Sequence, residues 1–124
     1  MNNDVDLMVR LVAFIKNALE DMKAQDIQQL DVAKFCDFAE VMFVCTGTSK
    51  RHVQSIAEKL VEEVKRAGFV KQGVEGLGTG EWVLVDLGEV IVHVMQPSAR
   101  EYYDIEKLWF SPPKSRQENP EQNA

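Results

Sequence analysis

The chain has 124 residues, of which 45% are hydrophobic and 27% charged, and its 20 acidic and 14 basic residues give a formal net charge of -6. This length suits one domain with a modest core. The apolar content argues against a disordered chain, and no apolar run of roughly 18 residues predicts a membrane span. We therefore expect one soluble globular domain over residues 1–109, followed by a disordered tail over 110–124.

The acidity is concentrated in one segment of the chain. Residues 73–109 hold seven acidic and two basic residues, a net charge of -5, whereas residues 1–72 hold eleven acidic and ten basic residues, a net charge of -1. Phosphate contacts to nucleic acid need clustered lysine and arginine, so direct nucleic-acid binding is not expected as the main mode. An acidic face indicates a basic partner, or serves only solubility.

Cys36 and Cys45 are the only cysteines, and no secretory signal precedes the acidic start of the chain. This usage predicts a reduced protein in the cytoplasm. Cys45 ends an apolar run and is expected to be a small core residue, because no Cys-x-x-Cys or Cys/His spacing suggests a metal or redox site.

Hydrophobic periodicity predicts the elements of the fold. In chain order they are an amphipathic helix over 5–22, a weak edge strand over 26–32, a strand over 41–45 covered on both faces, a helix over 49–67 capped by Gly68, a glycine-rich loop over 73–80, a hairpin of 82–87 and 90–95 with a type II′ turn at Gly88-Glu89, and a helix through Trp109 opened by a capping box of Ser98 and Glu101. The expected fold is α/β, a single domain in which a mixed β-sheet packs against helices. The strand before the second long helix and the strand after it should form a right-handed, parallel crossover.

The turn Thr46-Gly47-Thr48-Ser49 joins a buried strand to a helix and has two interpretations. The first turn of a helix presents free N–H groups, so Thr48 and Ser49 could bind an anion. Alternatively, Gly47 makes the turn and Thr48 or Ser49 caps the helix, as these residues do in most proteins. The fuller glycine pattern of a P-loop is missing, which favours the capping role.

A strand, a Gly-Ser turn and a helix also begin the nucleotidyltransferases, which makes an enzyme worth testing. Such an enzyme needs two divalent metals held by neighbouring carboxylates, but the strand after this helix ends in Asp86 alone. Gly76, Gly78 and Gly80 resemble a nucleotide fingerprint, yet a strand and not a helix follows them. The sequence therefore gives no catalytic residue, no metal site and no cofactor.

Two further sets of residues have a structural and a functional interpretation. His93 lies within a strand and shares a face with Ile91 and Met95, which favours a packed, hydrogen-bonded histidine over a catalytic one. Trp82, Leu87 and Tyr103 are apolar residues among acids, with Leu87 at the hairpin tip, where it should pack poorly on its own core. They could form a protein-binding patch that faces a basic partner, or simply cover the edge of the core.

The order and spacing of several motifs resemble the bacterial ribosomal silencing factor family, also called Iojap-like or RsfS, over about residues 5–109. The matching motifs are Asp26-Ile27 with Leu30-Asp31-Val32, Cys45-Thr46-Gly47-Thr48-Ser49 with Arg51-His52-Val53, Val74-Glu75-Gly76, the stretch Trp82 to Met95, and Glu106-Lys107-Leu108-Trp109. The resemblance implies a non-enzymatic factor with a nucleotidyltransferase-like α/β fold that lacks the catalytic carboxylate pair.

The resemblance also implies a partner. Family members bind the large ribosomal subunit through the basic ribosomal protein L-fourteen, block joining of the small and large subunits, and repress translation in stationary phase or nutrient limitation. They often form homodimers. The family's binding surface maps onto six residues of this chain, Trp82, Asp86, Leu87, Glu89, Tyr103 and Glu106.

Two other functions stay open on the residues alone. One is a phosphate-handling, nucleotidyltransferase-like enzyme that acts at Thr48 and Ser49. The other is a homo-oligomeric adaptor for a different basic protein, which the acidic segment would fit equally well.

Overall fold

The computed structural model describes residues 3–69 and 73–110 of the chain. Its elements, in chain order, are α1 (Asn3–Asp21), β1 (Gln25–Asp31), β2 (Val41–Thr46), α2 (Lys50–Arg66), β3 (Gly73–Glu75), β4 (Trp82–Asp86), β5 (Val90–Met95), α3 (Pro97–Tyr103) and α4 (Ile105–Phe110). The described helices include none long and apolar enough to cross a membrane. The predicted tail over 110–124 lies outside the described residues apart from Phe110, which ends α4.

The five strands form one mixed sheet in the order β1-β2-β5-β4-β3. β2 and β5 are parallel, whereas β1 and β2, β3 and β4, and β4 and β5 are antiparallel. The α/β class, the edge position of β1 and the antiparallel hairpin are therefore confirmed. The expected parallel partner was wrong in one respect, because β2 pairs with the second strand of the hairpin and not with the first strand after α2.

The predicted glycine-rich loop is shorter than expected. Its first three residues form β3, which pairs with β4 so that Val74 lies opposite Val85 and Glu75 opposite Leu84. The glycines at 73 and 76 obscured this short strand, since glycine weakens a strand and usually indicates a turn. Gly76 itself does turn the chain, with φ +90°.

The two faces of the sheet are covered differently. α1 and α2 cover one face, which we call the helix-covered face. Its core includes Phe43 and Cys45 of β2 with Ile56 and Leu60 of α2, all four fully buried. The predictions that β2 is covered on both faces and that Cys45 is a core residue are confirmed, and burial raises the pKa of the Cys45 thiol to about 12.

We call the opposite side of the sheet the open face. A smaller cluster lies there, formed by Leu30, Val32, Ala39, Met42, Val44, Ile91, Met95, Ala99 and Ile105, with Cys36, Trp82 and Leu84 partly buried against it. α3, α4 and the segment 32–40 contribute to this cluster. They leave the β4 side of the open face only half covered, since Trp82, Leu84 and Asp86 are all half-buried.

The tip of the β4–β5 hairpin corrects one expectation. Gly88 has φ +87° and Glu89 has no positive φ, as in the predicted type II′ turn. Leu87, however, is only 5% exposed and belongs to the core of the helix-covered face, so the interpretation that it packs poorly was wrong. The reason is strand alternation, because Val83, Val85 and Leu87 all point to that face.

The C-terminal helix differs from the prediction at its start and in its middle. Gln96, not Ser98, is the N-cap of α3, and Pro97 occupies the first turn. Proline suits that position because it lacks the N–H that would go unpaired there. Ser98 therefore lies inside the helix and not at its N-cap, and the capping box of Ser98 and Glu101 does not form. The helix also breaks at Asp104, whose φ of 47° is left-handed, and continues as α4. Aspartate tolerates this conformation better than most residues do.

Candidate interaction face

A stack of four aromatic rings dominates the half-covered part of the open face. The ring centroids of Trp82 and Tyr103 are 4.7 Å apart, and those of Tyr103 and Tyr102 are 4.9 Å apart in an edge-to-face arrangement. On the inner side, Trp82 lies 5.8 Å from the ring of His93. The stack runs from the buried interior to solvent, because His93 is 6% exposed, Tyr103 is 51% exposed and Tyr102 is 82% exposed.

Strand register brings Trp82 and His93 together. Trp82 lies opposite Met95 and Leu84 opposite His93, so Trp82 and His93 are diagonal neighbours on one face of an antiparallel pair. An aromatic side chain spans that diagonal. The Trp82 Nε1–H donates a hydrogen bond of 2.9 Å to His93 Nδ1. The prediction of a packed, hydrogen-bonded His93 is therefore confirmed.

His93 is a neutral acceptor in this arrangement. An indole N–H only donates, so Nδ1 must be unprotonated and the ring proton of the neutral form is on Nε2. Burial lowers the pKa of His93 to about 4, because the charged ring would lose its hydration. At neutral pH the lone pair on Nδ1 is thus available to Trp82.

Acidic residues lie on the strands, turns and helices that carry the aromatic rings. Glu75 lies opposite Leu84 in the strand register and is exposed. Glu89 is exposed at the hairpin tip, and Glu101 and Asp104 are exposed on and after α3. Asp86 is half-buried, and its Oδ1 accepts a hydrogen bond of 2.9 Å from the Gly88 N–H, so its carboxylate also stabilises the turn. The resulting surface combines apolar rings with negative charge.

Glu106 has an internal partner that the sequence did not reveal. Its two carboxylate oxygens accept from Arg100 Nε at 2.9 Å and from Arg100 Nη2 at 2.7 Å. Arg100 Nη1 donates to Thr46 Oγ1 at 2.8 Å, which ties α3 to the end of β2. The Arg100 and Glu106 side chains are only 13% and 17% exposed, and the hydrogen bonds that Arg100 donates to Glu106 raise the pKa of Arg100.

Phe38 is a further exposed ring that was not predicted. It lies in the segment that leads into β2, next to Ala39 of the open-face cluster. That segment is joined to the hairpin tip, because the Glu40 N–H donates to the Glu89 carbonyl at 2.8 Å. No periodicity or motif distinguishes Phe38, so only its place in the fold identifies it.

The turn before α2 has the geometry of a helix cap. Ser49 is the N-cap, and its Oγ accepts from the His52 N–H at 3.1 Å. The Thr48 N–H donates to His52 Nδ1 at 2.9 Å, while His52 Nε2 lies 3.1 Å from the Met22 carbonyl oxygen. These contacts assign Thr48 and Ser49 a structural role, and the anion site remains a prediction.

In the part of the chain that the structure describes, no group of three or more histidine, cysteine or acidic side chains could hold a metal ion.

The fold and this face together define a small α/β domain that presents aromatic rings among carboxylates. A family model described as "Ribosomal silencing factor during starvation" matches residues 7–124. The chain therefore belongs to the ribosomal silencing factor family.

Individual relatives agree with this assignment. A "Ribosomal silencing factor RsfS" from Haemophilus influenzae is 46% identical over 80% of this chain and 97% of its own length. A crystal structure of a protein from Chromobacterium violaceum has a TM-score of 0.80 and 45% identity, and covers 83% of this chain and 86% of that one. A mouse protein named "Mitochondrial assembly of ribosomal large subunit protein 1" is 32% identical over 86% of this chain and 45% of its own length.

Proposed function

We propose that this chain binds the large ribosomal subunit in the cytoplasm through the basic ribosomal protein L-fourteen. Bound there, it blocks joining of the small and large subunits and represses translation in stationary phase or nutrient limitation. The single observation that carries this proposal is the half-covered open face, where the Trp82 and Tyr103 rings lie 4.7 Å apart on elements that also carry exposed carboxylates. Membership of the silencing factor family supports the ribosome as the target.

The composition of the face suits a basic protein surface. Trp82 and Tyr103 supply large rings, and residues of this type dominate the energy of protein interfaces when they lose their contact with water. The exposed acids of the same region, Glu89 among them, complement lysine and arginine on the partner. Such charges increase the rate of encounter and set orientation more than they set affinity.

The mode of action is steric and has no chemical step. We assign direct contact with the partner to Trp82, Asp86, Glu89 and Tyr103. Leu87 and Glu106 act from within the protein, because Leu87 is part of the core and Glu106 is paired with Arg100. This division refines the surface that the family resemblance implies, in which all six residues contact the partner.

Association of two copies through β1 is less well supported. β1 is an edge strand, so another chain could pair with it. Its register shifts between Gln25 and Gln28, and Asp26 has a positive φ of 50°. Irregularities of this kind protect an edge against pairing. A homodimer remains a prediction, which analytical ultracentrifugation of the purified protein tests directly.

Sucrose-gradient sedimentation of purified subunits tests the proposed function. We expect the wild-type protein to reduce the joined-ribosome peak and to sediment with the large subunit. Trp82→Ala should weaken binding by about 2 kcal/mol or more, roughly thirtyfold. Leu7→Ala is the matched control, because Leu7 is an exposed apolar residue of α1. A folded Trp82→Ala variant that sediments fully with large subunits would contradict the assigned face.

A pull-down from ribosome-free lysate separates this function from that of a general adaptor. We expect no stoichiometric basic partner other than free ribosomal proteins. Recovery of a different basic protein, lost with Trp82→Ala and kept with Leu7→Ala, would favour the adaptor and overturn the ribosomal target.

A further inference from the structure

The hydrogen bond between Trp82 and His93 joins an interaction residue to the rigid centre of the sheet. β5 pairs with β2 on one side and with β4 on the other, and all six of its residues are buried. His93 is therefore fixed by two neighbouring strands, with Val44 and Leu84 opposite it. Trp82, in contrast, begins β4 next to a turn and is half-buried. Its ring needs a contact that selects one rotamer.

The Nδ1 atom of His93 supplies that contact. The Trp82 Nε1–H donates to it at 2.9 Å, and this hydrogen bond fixes the direction in which the indole N–H points. The Tyr103 ring then lies against the indole at 4.7 Å, and Tyr102 lies against Tyr103. The orientation of two exposed rings thus depends on one buried acceptor.

We propose that His93 is a positioning residue for partner binding, whose Nδ1 holds Trp82 and, through Trp82, Tyr103 in the orientation that meets the partner. This inference rests on the proposed function, and it adds a residue that itself contacts no partner. Pre-ordering of this kind strengthens binding because the free protein has less rotamer freedom to lose. Loss of the acceptor leaves the indole N–H without a partner, and the ring then turns to reach water.

Two variants of His93 separate the acceptor from the packing. His93→Asn keeps an oxygen acceptor near the position of Nδ1. His93→Leu replaces the imidazole with an apolar side chain of similar size and so removes the acceptor. Thermal unfolding identifies any variant that does not fold. In a ¹H–¹⁵N spectrum, the indole signal that disappears in Trp82→Phe identifies Trp82. We expect that signal to be shifted downfield and protected from exchange in wild type and in His93→Asn, but not in His93→Leu.

Binding to purified large subunits gives the second measurement. His93→Leu should bind on the order of tenfold more weakly, while His93→Asn should stay within about threefold of wild type. Equal affinity of His93→Leu and wild type would overturn the positioning role. Equal loss in both variants would also overturn it, because the loss would then follow from core disruption and not from the missing acceptor.

The two measurements keep this inference distinct from the proposed function. If the wild-type protein does not bind large subunits, the proposed function fails, and the indole signal alone decides whether His93 fixes Trp82. A Trp82 indole signal that is the same in wild type and His93→Leu overturns the inference, whatever the binding result.

Discussion

The two faces of the sheet differ in what they bury. On the helix-covered face, Val83, Val85, Val90, Val92 and Val94 alternate with open-face residues along the hairpin, and all five are fully buried against α1 and α2. On the open face, the same strands place Trp82, Asp86 and His93, and two of these three are half-buried. Period-two alternation thus lets one hairpin contribute to a dry core and to an interaction surface at once. Stability should depend mainly on the first face and binding on the second.

The largest expected effect is on the helix-covered face. Phe43→Ala removes a fully buried ring from the core and should lower the free energy of unfolding by about 4 kcal/mol. Tyr103→Ala, which truncates a half-exposed ring of the open face, should cost less than about 1 kcal/mol. Urea unfolding of both variants tests this, and losses of similar size would remove the distinction between the two faces.

The second effect uses the buried histidine of the open face. The unfolded chain binds the His93 proton near pH 6.5, whereas in the folded protein the pKa is about 4. Acidification between these values therefore favours the unfolded chain, and His93 should cost about 3 kcal/mol of stability as the pH falls from 6.5 to 4. His93→Asn should lack this part of the pH dependence. Parallel pH profiles for the two proteins would show that His93 does not titrate in this way.

The third effect concerns the ion pair that holds α4 in place. Arg100→Ala leaves the Glu106 carboxylate largely shielded and unpaired, and should cost about 2 kcal/mol of stability. Glu106→Ala should cost a similar amount, and the double variant little more than either single one. Lys59→Ala breaks exposed ion pairs on α2 and should cost less than about 0.5 kcal/mol. Normal stability but lost subunit binding in Glu106→Ala would instead make Glu106 a contact residue.

The smallest effect separates a helix cap from an anion site. Ser49→Ala should cost about 1 kcal/mol through the lost bond to the His52 N–H, whereas Ser55→Ala, at an exposed position in α2, should be close to neutral. Phosphate should not raise the unfolding temperature of wild type. A phosphate-dependent rise in the unfolding temperature that is lost in Ser49→Ala would instead support the phosphate-handling enzyme.

Local patterns explain most of what the sequence predicted correctly. The helical spacing in α1 and α2, the continuous apolar run of β2 and the Gly88 turn each depend on neighbouring residues only, and all appear in the structure. The prediction for Leu87 was wrong because it rested on the position of Leu87 at the hairpin tip. Strand alternation places Leu87 on the same face as Val83 and Val85. Counting residues from the strand would have placed it in the core.

The parts that were missed have three different causes. Arg100 donates a hydrogen bond to Thr46, which is 54 positions away in the sequence, and no local sequence pattern predicts such a contact. The break at Asp104 depends on one left-handed residue, which the helical spacing of Tyr102, Ile105 and Leu108 concealed. The bond between Trp82 and His93 was within reach, since a two-residue turn fixes the hairpin register and makes them diagonal neighbours.

Hydroxyl-radical footprinting of the protein, free and bound to purified large subunits, tests the central claim most directly. Tyr102 and Tyr103 report on the open face, while Leu7 and Val9 are exposed on α1. We predict that binding protects the two tyrosines from oxidation and leaves Leu7 and Val9 as reactive as in the free protein. Protection of α1 with unchanged tyrosines would contradict the account, because the subunit would then be bound by the helix-covered side.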